Sequence, residues 1–197
     1  MNSLVENQIT NFLNSPIKKR EVLSAAFNMK CEKITLPNNK KYIFKYYIKQ
    51  NTKFNSITSE ANSLKYLSNK FSDIFPKIYF SSTKLLVTEY IENNNLKNNN
   101  YQIDLAKKII KIHNIKNDNY GFDFDSQIGG MRQPNKFESN WSDFFLNKRI
   151  NMIFEKINKE EPIPKSINQK IEKLMNNIEN HLPQKPKISL LHGDLWE

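Results

Sequence analysis

The stretch that decides the fold lies beside the last residue of the chain and reads Leu190-Leu191-His192-Gly193-Asp194-Leu195-Trp196. Residues 188–191 are mostly apolar and predict a short strand. This strand would run directly into His-Gly-Asp, so we expect Asp194 on a turn just beyond a strand end. A carboxylate held in this way can accept the proton of a substrate hydroxyl.

Phosphotransferases of the kinase-like fold present their general base on such a turn, and this stretch resembles theirs. Their catalytic loop supplies a magnesium-binding Asn five residues after the Asp. The corresponding position would be 199 here, whereas the chain ends at Glu197. We therefore expect no metal ligand within this chain and little activity from these 197 residues alone, because metal and positioning supply most of the rate.

The composition is that of a globular protein without a membrane segment. Hydrophobic residues make up 38% of the chain, and 13 Phe and 8 Tyr are available for packing. No apolar run reaches the length of a membrane span, and the first twelve residues are polar with mixed charge. Cys31 is the only cysteine, which excludes an internal disulfide and fits a reducing compartment. These features predict a cytoplasmic protein that does not enter a membrane.

The net charge of +10 raises the question of a nucleic-acid partner. A nucleic-acid footprint requires basic residues concentrated on one face or in one stripe. The only basic run is Lys18-Lys19-Arg20, and the other basic residues are scattered. We therefore predict no nucleic-acid binding, and the sequence does not indicate an oligomeric state.

The first ninety residues alternate between strand and helix patterns. Apolar spacing predicts a leading helix over residues 4–14 and a second helix over 60–71. Strands are predicted within 22–36, at 41–48, at 77–80 and at 85–91, with a turn at Pro37-Asn38-Asn39.

The second half of the chain is helical in character. An Asn-rich segment at 92–100 predicts a linker, and apolar stripes around residues 105–112, 141–152 and 167–182 predict three helices. The predicted domains are a strand-rich lobe over 1–91, a hinge over 92–100 and a helical lobe over 101–197.

Lys45 and Glu60 form the candidate charged pair of the first lobe. Glu60 shares one apolar helix stripe with Leu64, Leu67 and Phe71, and no cation lies three or four residues away. A carboxylate on the buried side needs a distant partner, and Lys45 lies in a strand rich in Tyr and Phe. Two alternatives stay open: Lys45 exposed on an edge strand, and Glu60 favoured at a helix start by the macrodipole.

His113 lies near a predicted helix end, with no nucleophile or second ligand close in sequence. A core or capping role is therefore favoured over catalysis. No spacing of ligand residues predicts a structural zinc site.

Further motifs carry a resemblance that is more specific than His-Gly-Asp. They read Gly121-Phe122-Asp123-Phe124-Asp125, Ile128-Gly129-Gly130-Met131-Arg132-Gln133-Pro134-Asn135, and Trp141-Ser142-Asp143-Phe144-Phe145 with Arg149. With the stretch at 190–196, these motifs resemble the signature of the fructosamine kinases, from about Val22 to Trp196. Aminoglycoside and choline phosphotransferases share His-Gly-Asp, but not the Gln-Pro-Asn and Trp-x-x-Phe-Phe arrangement.

The resemblance implies an α+β, protein-kinase-like fold of two lobes: a small antiparallel-sheet lobe with one main helix, and a mainly helical, incomplete C-terminal lobe. It implies ATP and Mg²⁺ as cofactors and a small-molecule or protein-bound ketoamine as substrate, phosphorylated on a sugar hydroxyl. It implies Asp194 as general base, Lys45 as the phosphate-contacting lysine and Glu60 as its partner. The residues that it places along the adenine are Glu89, Tyr90 and Ile91, and those on the substrate side are Gln133, Pro134, Asn135 and Trp196.

The sequence departs from the family in the first lobe, which contains no glycine. Family members carry a glycine pair where this chain reads Ser24-Ala25-Ala26, in the loop that closes over the phosphates. Close backbone approach and left-handed torsions are harder without glycine. Two other functions therefore stay open: a non-catalytic kinase-like binding module, and a phosphotransferase for another small molecule.

Overall fold

The computed structural model describes residues 3–49, 54–93 and 100–193. The chain divides into two compact units, one of Met1–Leu96 with Ser126–Arg132 and the other of Lys97–Asp125 with Gln133–Glu197. The segment Ser126–Arg132 returns to the first unit, a feature that the sequence-based division at residue 91 did not include. Division into functional lobes stays a prediction. Asp194 and Trp196 lie outside the described residues.

The first unit is built on a five-stranded antiparallel sheet with the order β1-β2-β3-β5-β4. Its elements are α1 (Ser3–Leu13), β1 (Lys19–Ala26), β2 (Met29–Thr35), β3 (Lys41–Tyr47), α2 (Ser56–Lys70), β4 (Ile78–Ser81) and β5 (Leu85–Glu89). The returning segment adds β6 (Ser126–Ile128) and the beginning of β7 (Met131–Gln133). The predicted order of strands and helices over the first ninety residues is confirmed.

The core of the first unit lies where α1 and α2 contribute their apolar residues to the central strands. The fully buried side chains are Val5 and Ile9 from α1, Ile34 from β2, Phe44 and Tyr46 from β3, Ile57 from α2, and Leu85, Leu86 and Val87 from β5. Each central strand thus contributes bulky residues, which is why β3 and β5 hold their register firmly.

The second unit consists mainly of helices. They are α3 (Tyr101–His113), α4 (Trp141–Phe145), a π-helical turn (Leu146–Ile150), α5 (Asn151–Glu160), α6 (Lys165–Met175) and a short 3₁₀ turn (Ile178–Asn180). The three predicted helical regions are present. Among the described residues, no helix of either unit is both long and apolar enough to cross a membrane.

The predicted strand at residues 188–191 is wrong. Among the residues that the structure describes, this segment pairs with no strand, although the Leu190 N–H donates to the Ile115 carbonyl at 3.0 Å. A β-strand requires a ladder of such bonds along a neighbouring strand, and local apolar composition cannot supply the neighbour.

An ion-pair network around Glu32 joins α1 to the first three strands. Glu32 is only 3% exposed, and it contacts the Lys30 ammonium at 2.7 Å and the Arg20 guanidinium at 3.4 Å. The Tyr46 hydroxyl donates to it at 2.9 Å, and Arg20 also binds Glu6 of α1 at 2.8 Å. Burial alone would raise the pKa of Glu32, but the bonds from Lys30 and Tyr46 and the charge of Arg20 outweigh it and lower that pKa.

Glu32→Gln is expected to lower the free energy of unfolding at pH 7 by about 2–3 kcal/mol, because it leaves buried donors and a cation without their charged acceptor. The folded-state pKa lies below the unfolded value of about 4.3, so the carboxylate stabilises the fold above that pH. Its contribution is lost as the pH falls through the folded pKa. Urea unfolding at pH 7 and pH 3 should therefore show the difference between wild type and variant shrinking in acid.

The matched control for this experiment is Glu21→Gln, on the same sheet. Glu21 pairs with Lys19 and Lys33 near the surface, so its replacement should change stability little. An equal loss for both variants, or a Glu32→Gln deficit that stays constant from pH 7 to pH 3, would contradict the buried-network account.

Candidate active site

Lys45 and Glu60 form an ion pair that involves both oxygens of the carboxylate. The Lys45 Nζ lies 2.6 Å from one oxygen of the Glu60 carboxylate and 2.8 Å from the other. β3 is a central strand between β2 and β5, so the edge-strand alternative for Lys45 does not hold. The two side chains are 28% and 24% exposed, which leaves the pair accessible from one side.

The position of Glu60 follows from the way α2 begins. The helix begins at Ser56, four residues before the predicted start, because the Asn55 side chain caps it by accepting a hydrogen bond from the Thr58 N–H at 2.9 Å. The Ser56 N–H donates to the Tyr47 hydroxyl at 2.7 Å, which ties the helix start to the end of β3. Glu60 therefore lies in the second turn, and the macrodipole alternative for it also fails, since the dipole acts within the first turn.

Cys31 lies on β2 directly opposite Lys45. Burial raises the pKa of its thiol, although the Lys45 charge opposes this rise. The thiol is therefore neutral at physiological pH, and the Lys45 charge is balanced by Glu60 rather than by a thiolate.

The predicted adenine residues lie at the end of β5. The Glu89 N–H donates to the Lys77 carbonyl at 2.8 Å, and the Glu89 carboxylate accepts from the Lys77 N–H at 3.2 Å. The Tyr90 ring has two ammonium groups near its centroid, from Lys33 at 5.1 Å and Lys41 at 5.2 Å. The backbone N–H of Glu89 is thus engaged within the sheet. Ile91 is exposed. Contact of all three residues with adenine stays a prediction.

The turn between β1 and β2 is made without glycine. Ser24, Ala25 and Ala26 lie in β1 and pair with β2, so the turn itself is Phe27-Asn28. Both residues adopt left-handed torsions, with φ of +52° and +59°. This conformation costs about 1–2 kcal/mol for a residue such as Phe, and less for Asn.

The β6–β7 hairpin was missed by the sequence analysis. Its turn is Gly129-Gly130, with φ of +54° and +77°, and β6 packs beside α2. A Gly-Gly pair between two short extended runs is a known signal of a two-residue hairpin. The signal was present in the signature motif but was used only for the resemblance.

Asn135 holds the Gln133-Pro134-Asn135 loop from inside the second unit. It is 4% exposed, and its side-chain amide donates to the Phe124 carbonyl at 3.1 Å. Its side-chain oxygen accepts from Arg149 at 2.7 Å, and its backbone N–H donates to the Asp125 carboxylate at 3.0 Å. Asn135 therefore fixes the loop, and the substrate-side roles of Gln133, Pro134 and Asn135 stay predictions.

Arg149 completes this anchor from the π-helical turn. Its guanidinium donates to the Pro134 carbonyl at 2.7 Å and to the Lys148 carbonyl at 2.9 Å, and it lies 4.6 Å from the centroid of the Phe144 ring. Burial lowers the pKa of Arg149, although the group remains a cation at any physiological pH. Phe144 and Arg149, both taken from the signature motif, thus act together in packing.

Of the predicted catalytic loop, the structure describes the residues up to Gly193. Gly193 adopts a φ of +89°, in keeping with a turn immediately before Asp194. Over residues 3–49, 54–93 and 100–193, no group of three or more His, Cys, Asp or Glu side chains could hold a metal ion.

Comparison with known proteins identifies the family. The family model described as fructosamine kinase matches residues 1–197. The chain belongs to the fructosamine kinase family. The protein named "Probable ketoamine kinase YniA" of Escherichia coli (strain K12) is 30% identical over 144 residues, which are 71% of this chain and 49% of that protein. The chain thus spans about half the length of the curated relatives it matches.

The fold is shared with solved structures of kinase-like proteins. A protein from Thermobifida fusca YX-ER1, assigned as a fructosamine-3-kinase, superimposes with a TM-score of 0.80 at 16% identity, over 98% of this chain and 67% of that one. APH(2″)-IIa in its ternary complex with streptomycin and ATP gives 0.56 at 15% identity, over 91% of this chain and 59% of that one. The predicted α+β, protein-kinase-like fold is confirmed.

Arg149→Lys is expected to lower the free energy of unfolding by about 1–3 kcal/mol, because lysine keeps the charge but cannot bond Pro134 and Asn135 through one planar fork. Asn135→Ala should cost a similar amount. In a double-mutant cycle by urea unfolding, the two changes should couple by at least about 0.5 kcal/mol.

Asn147→Ala, on the exposed side of the same π-helical turn, serves as the control, and we expect it to change little. Strict additivity of Arg149→Lys and Asn135→Ala would show that the anchor does not act as one unit.

Proposed function

We propose that this protein transfers the γ-phosphate of ATP to a sugar hydroxyl of a ketoamine. The observation that carries the proposal is the Lys45–Glu60 ion pair, formed between a central strand and the main helix of the first unit. The support for the ketoamine as substrate is the family match over the whole chain.

In this proposal, Lys45 contacts the phosphates of ATP and Glu60 holds its ammonium in place. An ammonium has three donors, and Glu60 takes two of them. The third can reach a phosphate oxygen on the accessible side of the pair, as the strand lysine does in kinases. Glu60 keeps the long Lys45 side chain from adopting other rotamers, so less conformational entropy is lost when ATP binds.

Asp194 is proposed as the general base that accepts the proton of the sugar hydroxyl during in-line attack. Its support is the family match and the turn torsion of the preceding Gly193. Magnesium bound with ATP would neutralise phosphate charge. The described residues contain no cluster of three or more His, Cys, Asp or Glu for it, and we propose no ligand among them.

We also propose the surroundings of the two substrates. Glu89, Tyr90 and Ile91 would lie along the adenine, and Gln133, Pro134 and Trp196 would face the ketoamine, whether free or protein-bound. Asn135 would act on that side by holding the loop. The neutral, partly buried thiol of Cys31 suits a reducing compartment, and we propose the cytoplasm as the place of the reaction.

A non-catalytic binding module is the second candidate, and the glycine-free turn at Phe27-Asn28 favours it. Glycine-free turns admit phosphates less closely than glycine-rich ones. Nucleotide binding and phosphoryl transfer, measured separately, distinguish the two candidates.

Mg-ATP is expected to raise the melting temperature of the wild-type protein, with a stabilisation of about 2.7 kcal/mol at one hundred times the dissociation constant. Lys45→Met should abolish most of this shift, because the phosphate contact is lost. Lys19→Met is the matched control, since that exposed ammonium pairs with Glu21 at the far end of the sheet. A nucleotide shift that Lys45→Met leaves intact would contradict the assigned role of Lys45.

Asp194→Asn is expected to retain the Mg-ATP shift and to lose phosphorylation of a fructosyl-amine, because the amide cannot accept the hydroxyl proton. The measurement is coupled detection of ADP together with mass spectrometry of the phosphorylated product. Product formed by the wild-type protein would exclude the binding module, and turnover by Asp194→Asn at the wild-type rate would contradict the assigned role of Asp194.

A further inference from the structure

The ring of Phe27 lies against the Gly129-Gly130 turn of the β6–β7 hairpin. A Cβ built on Gly130 would lie 3.1 Å from the Phe27 Cβ and 3.2 Å from its Cγ, and one on Gly129 would lie 3.8 Å from its Cζ. The absence of a side chain at Gly130 therefore permits this approach. Phe27 nevertheless remains 65% exposed.

The same hairpin turn also meets the beginning of α2. The Ser56 hydroxyl donates to the Gly130 carbonyl at 3.4 Å, and β6 packs beside α2. Ser56 is the first residue of the helix that carries Glu60 one turn later. Gly129-Gly130 thus touches two elements: the β1–β2 turn and the helix that holds Lys45 in place through Glu60.

The β1–β2 turn is closed by the pairing of Ala26 with Met29, and both of its residues are exposed. The residues of β1 from Leu23 to Ala26 are exposed, and both turn residues adopt left-handed torsions that a phenylalanine does not favour. The Asn28 carbonyl accepts from the Ile48 N–H at 2.8 Å, which secures the second turn residue only. A contact that holds Phe27 therefore bears directly on the conformation of the tip.

We propose that Phe27 and the Gly129-Gly130 turn form an aromatic tether, which positions the β1–β2 turn to receive the phosphates of a nucleoside triphosphate. Phe27 is a positioning residue in this proposal, which rests on the proposed function. The tether takes the place of the glycines that this turn lacks. Glycine lets a phosphate loop adapt to its ligand, whereas the tether holds the turn in one conformation before the ligand binds. A loop ordered before binding loses less conformational entropy when the ligand arrives.

The variant that tests the tether is Phe27→Asn, measured by nucleotide affinity, melting temperature and steady-state kinetics. Asn adopts the left-handed conformation more easily than Phe, so the melting temperature without nucleotide should be unchanged or higher. The lost tether should raise the dissociation constant and the KM for Mg-ATP by about fivefold to tenfold. The KM for the ketoamine should stay unchanged, because the tether is proposed to act on the phosphate side alone.

Two further variants separate the tether from a general effect of removing an apolar side chain. Phe27→Tyr keeps the ring and should restore wild-type affinity for Mg-ATP. Ile48→Asn removes a similarly exposed apolar residue beside the same turn, 55% exposed compared with 65%, and should leave the affinity unchanged.

The outcomes for the tether and for the proposed function are distinguishable. Wild-type affinity in Phe27→Asn, with binding abolished in Lys45→Met, would overturn the tether and leave the proposed function standing. A melting temperature several degrees lower in Phe27→Asn would also overturn it, because the ring would then be a part of the fold. If the wild-type protein and Lys45→Met both fail to bind Mg-ATP, the proposed function fails, and the tether fails with it.

Discussion

The bond between the Lys45 ammonium and the Glu60 carboxylate is the constraint on which the first unit depends. Two charged groups that are about three-quarters buried must meet within hydrogen-bonding distance, since either one alone would be costly to desolvate. Meeting requires β3 and α2 to keep fixed positions. The Asn55 cap, the bond from Ser56 to Tyr47 and the buried residues of β3 supply that rigidity.

Two neighbouring turns of the first unit adopt left-handed torsions, and only one of them contains glycine. Phe27 and Asn28 make a left-handed turn without glycine, and Gly129 and Gly130 lie on a separate hairpin that meets it. The glycines are therefore located beside the β1–β2 turn rather than within it. Gly129 and Gly130 supply the backbone freedom, and Phe27 supplies the side chain that contacts them. The two segments are about one hundred residues apart in sequence.

Signature residues of a family need not touch a substrate. Asn135 and Arg149 belong to the motif that identifies the family, and their described polar contacts are with one another and with neighbouring loop residues. The physical reason is that a loop keeps one conformation only when other residues hold its backbone in place. The buried side chain of Asn135 serves this purpose, since it donates to Phe124 and accepts from Arg149. The Arg149 guanidinium in turn lies over the Phe144 ring.

Sequence alone predicted the order of strands and helices over the first ninety residues and indicated the family, because periodicity and motif spacing are local properties. It suggested the pairing of Lys45 with Glu60, and the structure excluded the two alternatives. Three features were decided only by tertiary structure. Among the described residues, the segment at 188–191 pairs with no strand, α2 begins at its Asn55 cap beside Tyr47, and Ser126–Arg132 returns to the first unit. The first and the last depend on which distant backbone groups lie close by, and the start of α2 depends on the Tyr47 hydroxyl of β3. A one-dimensional pattern does not contain that information.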